Sequence, residues 1–169
     1  YAMTYFTDAQ IPFYWGLARQ FPICDRYFCS VPAATYPNRR FLSGASAGGL
    51  TGTNVNDVLA NPTAPNGNIY ERLDDLGISW TNFSAGLPEV ALWPEYYFEN
   101  TDKVQRIDNY FEACAADTLP SFSLVTPPLD CDEHPPQDIA CGERFSASVI
   151  TALMESPAWD RSVLVFTYD

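Results

Sequence analysis

Apolar and polar side chains alternate along this chain in helical and extended patterns, which are joined by short linkers and show no internal repeat. Extended patterns rich in aromatic and β-branched residues predict strands over residues 23–31, 78–83 and 121–126. A near-continuous apolar run over residues 162–169 predicts a further strand that is covered on both faces. Helical spacing predicts five helices. The first begins near Asp8, the second begins at Pro37, and the third covers residues 69–76. The fourth includes Val104, Ile107, Phe111 and Cys114, and the fifth covers residues 139–153.

This order of strands and helices predicts an α/β fold with a mainly parallel central sheet and helices on both faces. The length of 169 residues fits one domain over residues 1–169. Ligands of such sheets bind beyond the carboxyl ends of the strands. Three segments are predicted to lie there, and they contain Thr35, His134 and Asp169. We therefore expect the candidate chemistry at one edge of the sheet.

Charge and hydropathy argue against two classes of partner. Twenty-one acidic residues against nine basic ones give a net charge of −12. This charge repels nucleic-acid phosphates, so we expect no nucleic-acid partner. No apolar run reaches the roughly 18 residues that cross a bilayer, so we expect no transmembrane segment. The first residues also lack the basic start and apolar stretch of a signal peptide.

The five cysteines and single histidine do not show the spacing of a zinc site. Cys131 and Cys141 flank the sequence Asp-Glu-His-Pro-Pro closely enough for a disulfide to close that loop. The alternative is that all five cysteines are small buried thiols. The sequence leaves both alternatives open.

Thr35 is predicted to lie just ahead of the helix that begins at Pro37, because a residue before proline, here Tyr36, favours extended backbone. Free N–H groups and the dipole at a helix start favour a bound phosphate. A threonine hydroxyl becomes a nucleophile when a base or a metal activates it. The simpler interpretation is that Thr35 is a helix cap or a turn residue.

His134 and Asp169 carry the remaining candidate chemistry. As a cation, His134 could bind a phosphoryl oxygen or protonate a leaving group; the alternative is a loop residue on the surface. A carboxylate at the end of a buried strand needs a cation or hydrogen-bond donors, so Asp169 is either a metal ligand or a helix cap. The aromatic side chains of residues 93–98 either line an acyl-chain or sugar pocket or pack in the core.

Four stretches together resemble the phosphoesterase family that contains bacterial phospholipases C, certain acid phosphatases and plant non-specific phospholipases C. They are IPFYWGLARQFPICDRYFCSV, TYPNR, DEHPP and SPAWDRSVLVFTYD, and the likeness extends over nearly the whole chain. Thr-x-Pro-Asn-Arg, followed about 100 residues later by Asp-Glu-His-Pro, is a specific combination. The resemblance implies an alkaline-phosphatase-like fold in which Thr35 is the nucleophile and Asn38 and Arg39 bind phosphate or substrate.

The resemblance further implies that His134 contacts the phosphoryl group and that Asp169 and Thr35 bind a divalent metal ion. The expected function is hydrolysis of phosphate esters, above all phospholipase C cleavage of phospholipid headgroups. The expected location is secreted or periplasmic, with peripheral contact to a membrane surface. The alternative within this class is an acid phosphatase acting on phosphomonoesters. Alternatives outside it are an inactive binding domain that keeps the fold and, less attractive for a parallel sheet, a carbohydrate-binding module.

The sequence departs from the family pattern at both ends. The family's Glu-Asn-Arg-Ser-Phe-Asp motif, which supplies further metal ligands, is not found, and the chain stops within the Asp-Glu-x-x-Gly motif that Asp169 begins. We therefore expect residues 1–169 to be the central part of a larger catalytic domain. Made alone, the chain is expected to have little or no hydrolase activity.

Overall fold

The computed structural model describes residues 4–169, in which three short strands form a parallel sheet. The strands are β1 (Trp80–Ser84), β2 (Val104–Arg106) and β3 (Phe122–Thr126), in the order β2–β1–β3. Asn82 of β1 lies opposite Val104 on one side and Leu124 on the other. All pairings within residues 4–169 are parallel, which confirms the predicted α/β class.

Helices cover both faces of this sheet, as predicted. Trp80 and Phe83 point to opposite faces of β1, because side chains alternate along a strand. Trp80 packs with Tyr70, and Phe83 packs with Tyr110 and Val149. The described residues form seven α-helices, namely α1 (Pro12–Gln20), α2 (Thr35–Gly44), α3 (Val55–Ala60), α4 (Ile69–Asp75), α5 (Pro94–Glu99), α6 (Ile107–Ala116) and α7 (Ile139–Met154). The likeness to alkaline phosphatase stays a prediction.

The predicted helices over residues 69–76 and 139–153 are found as α4 and α7, and both have capping residues close to their ends in the sequence. α4 is closed by a capping box between Asn68 and Glu71, and Gly77 follows it with a φ of 66°. α7 is capped by the side chain of Asp138. α1 begins at Pro12 and not near Asp8. The carboxylate of Asp8 forms an ion pair with Arg19, a residue of α1. None of the described helices is long and apolar enough to cross a membrane.

Two predicted strands, residues 23–31 and 162–169, are wrong. Neither segment pairs with a strand in the described part of the chain. Phe28 is 77% exposed and Val163 is 91% exposed, so the apolar runs are not covered on both faces. Apolar and β-branched residues favour extended backbone, but a strand forms only where another strand pairs with its N–H and C=O groups.

One predicted helix includes a residue of a strand. Val104 fits the helical spacing of α6 but belongs to the edge strand β2, which is too short to show a period of its own. The structure also has elements that the sequence patterns did not predict. Residues 47–68 contain α3, which is capped by the side chain of Asn54. Residues 86–100 contain a 3₁₀ turn (Glu89–Leu92) and α5.

A disulfide joins Cys131 to Cys141, whose Cα atoms are 5.1 Å apart. It fastens the loop that follows β3 to the first turn of α7. Cys24 and Cys29 are exposed free thiols, and Cys114 is buried. The first of the two cysteine alternatives is therefore confirmed, and the alternative of five buried thiols is wrong.

The helix that carries the TYPNR motif is held in place from behind by Arg40, a completely buried side chain. Its Nε donates to the carbonyl of Leu92 at 2.9 Å, and its Nη2 donates to the carbonyl of Asn61 at 2.7 Å. The guanidinium lies 4.4 Å from the ring centroid of Trp93, a cation–π contact. Desolvation lowers the pKa of Arg40. These contacts attach α2 to the turn after β1 and to the end of α3.

We predict that Arg40→Met lowers the free energy of unfolding by about 2–4 kcal/mol, because buried carbonyl groups lose their donor. Arg40→Lys should recover only part of this loss, since one ammonium cannot reproduce the planar fork. Urea unfolding followed by tryptophan fluorescence measures the change. The matched control is Arg72→Met, which removes an exposed ion pair with Asp75 and should cost less than about 0.5 kcal/mol. An Arg40→Met chain as stable as the Arg72→Met control would contradict the role given to Arg40.

Candidate functional site

Thr35 is the first residue of α2 and not, as predicted, a residue ahead of a helix that begins at Pro37. Pro37 lies in the first turn, where a missing N–H costs no intrahelical hydrogen bond. Tyr36 takes helical backbone although a proline follows, and its ring packs against the buried cluster of Leu50, Val58 and Leu92. No side chain caps the helix at Ala34, so no capping side chain covers the first-turn amides beside Thr35.

The structure brings Thr35, Arg39 and Asp169 together. Thr35 and Arg39 are four positions apart on α2 and therefore share a face. The Thr35 Oγ1 donates to Asp169 Oδ1 at 3.5 Å, and Arg39 Nε lies 2.5 Å from Asp169 Oδ2. The side chains of Arg39 and Asp169 are 23% and 29% exposed, so the cluster is partly shielded from water and still open to a ligand.

Asn38 organises the turn that leads into Thr35. Its Oδ1 accepts from the amide of Val31 at 3.2 Å, and its Nδ2 donates to the carbonyls of Ala33 and Ala34 at 3.1 and 3.3 Å. Asn38 is 9% exposed, and both amide protons are used within the chain. In this structure the side chain of Asn38, which was predicted to bind phosphate, forms hydrogen bonds to the backbone. Its contact with a substrate stays a prediction.

His134 lies in the loop between β3 and α7 and is exposed. Its Nδ1 is 2.8 Å from the carbonyl oxygen of Pro135, and its amide donates to Asp132 Oδ1 at 3.1 Å. Within residues 4–169, no hydrogen bond joins the imidazole to Thr35 or to Asp169. The loop follows the carboxyl end of β3, as predicted, but in residues 4–169 no hydrogen bond or ion pair joins the His134 side chain to the threonine cluster.

Sequence reasoning missed Glu133, the residue that connects the two halves of the site. Its carboxylate accepts from the hydroxyl of Tyr168 at 2.6 Å and from the hydroxyl of Tyr14 at 2.5 Å. Burial, followed by the bond to Glu133, raises the pKa of both phenols, so both are neutral donors. Tyr168 precedes Asp169, and Glu133 precedes His134. Both residues lie within the motifs DEHPP and TYD, but no local pattern shows that they meet.

The described residues do not by themselves complete the metal site that the resemblance implies. No group of three or more His, Cys, Asp or Glu side chains comes together within residues 4–169. Asp169 and Thr35 offer two oxygen donors, but Arg39 already supplies a cation to the Asp169 carboxylate. Zn²⁺ and Ca²⁺ sites take three or more ligands from the protein, whereas Mg²⁺ keeps several waters and takes only one or two carboxylates. The described residues therefore supply part of a metal site.

The aromatic residues of 93–98 mainly pack within the protein. Trp93 is completely buried, and its indole Nε1 donates to Ser43 Oγ at 2.9 Å. Tyr96 stacks on Tyr70 and Trp80. Phe98 is the exception, with 68% of its surface exposed. The alternative of core packing is therefore confirmed for most of the cluster.

In this α/β protein, the uncapped first-turn amides of α2 and the neighbouring Arg39 guanidinium are donors of the kind from which phosphoryl oxygens accept hydrogen bonds. The sequence profile of the Phosphoesterase family matches residues 1–169. The chain belongs to this family.

The relatives found by comparison are named phospholipases C. The chain is 29% identical to non-specific phospholipase C4 of Arabidopsis thaliana, covering 99% of this chain and 32% of that protein. It is 28% identical to hemolytic phospholipase C of Pseudomonas aeruginosa, covering 99% of this chain and 29% of that protein. It is also 28% identical to phospholipase C A of Mycobacterium tuberculosis, covering 99% and 37%. The chain thus spans about a third of the length of these relatives.

We predict that Asn38→Ala releases the turn before Thr35. Two carbonyls and one amide lose a partner, so the amide of Val31 should exchange with solvent about tenfold faster, the equivalent of about 1.4 kcal/mol. Hydrogen exchange measured by NMR tests this at a single residue. Asn56→Ala is the matched control, because Asn56 is an exposed asparagine of α3. Unchanged exchange at Val31 in Asn38→Ala would show that other contacts hold the turn.

Proposed function

We propose that the longer protein to which this chain corresponds hydrolyses phosphate esters, and that it acts as a phospholipase C on phospholipid headgroups. The observation that carries the proposal is the contact of Thr35 with Asp169 and of Asp169 with Arg39. The names of the three relatives reported above, each a phospholipase C, support the choice of substrate. The bond that is cleaved is then the ester bond between phosphorus and the diacylglycerol oxygen, so diacylglycerol is the leaving alcohol.

The proposed reaction begins at Thr35. Its Oγ1 attacks phosphorus, and Asp169, which already accepts this hydroxyl, takes the proton. A bond forms between Oγ1 and phosphorus while the bond from phosphorus to the leaving alcohol breaks. Water then cleaves the phosphothreonine, and the hydroxyl of Thr35 is restored.

Charge on the phosphoryl oxygens is stabilised by two features of α2 in this proposal. The first-turn amides carry no capping side chain, and the guanidinium of Arg39 lies on the same face as Thr35. His134, in the loop after β3, is proposed to protonate the leaving alcohol. A divalent metal is proposed only on the strength of the resemblance, and no step above is assigned to it.

The disulfide supports our further proposal that the protein is secreted or periplasmic. Cys131 and Cys141 are bonded in the structure, and disulfides persist in oxidising compartments. A loop that contains His134 would open at this point in a reducing compartment. Growth of the producing cell followed by immunoblotting of medium, periplasm and cytoplasm tests the location directly.

We predict that Thr35→Ala in the full-length protein lowers kcat on phosphatidylcholine by at least about 10³-fold, because no covalent intermediate can form. Thr35→Ser should keep measurable turnover, since it keeps a hydroxyl. Thr53→Ala, which changes an exposed threonine, is the matched control. Acid quenching of the wild type during turnover should yield a peptide phosphorylated at Thr35, detected by mass spectrometry.

Three outcomes separate this proposal from the alternatives. Faster turnover of a simple phosphomonoester than of phosphatidylcholine would favour an acid phosphatase. Binding of phospholipid without turnover in the wild type would favour an inactive binding domain. Turnover that Thr35→Ala leaves intact, with no phosphorylated Thr35 peptide, would reject the threonine nucleophile.

A further inference from the structure

Glu133 has an unusual setting for an exposed loop. Its backbone is in the left-handed region with a φ of 63°, a conformation that costs free energy for a residue with a side chain. The side chain is packed against Gly142 of α7, where a Cβ would overlap Glu133 Cγ. A glycine inside a helix is itself unfavourable by about 1 kcal/mol relative to alanine. Both costs are explained if the position of the Glu133 carboxylate matters.

The carboxylate of Glu133 joins three separate parts of the chain. Tyr14 comes from α1, Tyr168 comes from the last segment of the chain, and Glu133 itself belongs to the loop after β3. The hydroxyl of Ser146 lies 2.9 Å from that of Tyr14, and since the Tyr14 proton goes to Glu133, Ser146 donates. One carboxylate thus accepts two phenol hydroxyls, which leaves no freedom in its orientation.

Tyr14 is a fixed point in this network. The amides of Phe13 and Tyr14, in the first turn of α1, donate to Glu143 Oε1 at 2.8 and 3.2 Å. Glu143 is buried and belongs to α7, so the start of α1 is fastened to the same helix that carries Gly142. The ring of Tyr14 also contacts Phe166, with centroids 5.4 Å apart. Glu133 is therefore held against a rigid frame.

We propose that Glu133 is a positioning residue that holds Asp169 and His134 at a fixed separation. Its bond to Tyr168 anchors the residue before Asp169, and its own backbone carries His134. Neither contact involves substrate, so the effect is transmitted through the Tyr168–Asp169 peptide and through the Glu133–His134 peptide. For catalysis this rests on the proposed function, in which Asp169 takes a proton from Thr35 and His134 gives one to the leaving alcohol.

The first experiment uses the full-length protein and the chromogenic phosphodiester p-nitrophenylphosphocholine. Glu133→Gln and Tyr168→Phe should each lower kcat about tenfold with KM unchanged within about twofold, as for other residues that orient a catalytic group. The double variant should lose little more than either single one, because both substitutions weaken the same contact between residues 133 and 168. The matched controls are Glu112→Gln and Tyr5→Phe, which change exposed residues and should keep wild-type kcat.

A second pair of variants moves Glu133 without changing its chemistry. Gly142→Ala displaces the side chain of Glu133 and should lower kcat about as much as Glu133→Gln. Gly16→Ala is the matched control, because a Cβ at Gly16 meets no atom within 4 Å. Thermal unfolding of each variant tests whether the fold is kept. If Glu133 positions the site, the variants should lose kcat and keep the wild-type unfolding temperature and KM. A loss of kcat that occurs only together with a lower unfolding temperature would contradict the positioning role.

A measurement on the 169-residue chain separates this proposal from the proposed function. Glu133→Gln should shift the backbone amide NMR signals of Thr35 and Asp169, whereas Glu112→Gln should leave them in place. Unmoved signals, wild-type kcat in Glu133→Gln, or losses that multiply in the double variant would each overturn the positioning role. Loss of phosphodiester turnover altogether in the wild type would reject the proposed function, while the NMR shifts would still decide whether Glu133 holds the two motifs.

Discussion

The contact of Asp169 with Thr35 and Arg39 is the constraint on which the candidate site depends. It joins residues that are 134 and 130 positions apart in the sequence. The cost in chain entropy of closing such a loop grows only slowly with its length, but one partly exposed ion pair and one hydrogen bond are too weak to offset that cost alone. The position of α2 and the position of the last segment must therefore be set by other interactions, and the contact then forms between groups that are already close.

Two consecutive arginines divide these tasks on α2. Successive residues of a helix point about 100° apart, so Arg39 faces Asp169 while Arg40 faces the core. Arg40 binds carbonyl oxygens and an aromatic ring, and its buried charge has dipoles instead of a carboxylate as partners. Asn38 meanwhile holds the backbone before Thr35. Within the TYPNR motif and the arginine after it, Asn38 and Arg40 thus stabilise the fold while Arg39 contacts Asp169. Substitutions of Asn38 or Arg40 are therefore expected to disturb the position of α2.

Local patterns predicted the parts of this fold that depend on local interactions. β1, β3, α4 and α7 follow from alternation, helical period and caps, and the predicted α/β class followed from their order. The proximity of Thr35 and Asp169 was also predicted, but from strand ends that neither residue occupies in the described structure. The bonds of Tyr14 and Tyr168 to Glu133 span 119 and 35 positions, and no periodicity reports contacts of that range. The buried role of Arg40 was missed for the same reason.

The failure of residues 162–169 to pair as a strand changes what holds Asp169. In a sheet, the backbone hydrogen bonds of a ladder would fix the last residue of a strand, and side chains would be secondary. Here no ladder exists for this segment within residues 4–169, and Val163 and Val165 are largely exposed. What remains are side-chain contacts: Tyr168 with Glu133, Phe166 with Tyr14, and Asp169 with Arg39. Because these contacts replace the ladder, the position of Asp169 beside Thr35 depends on the loop that carries Glu133 and His134.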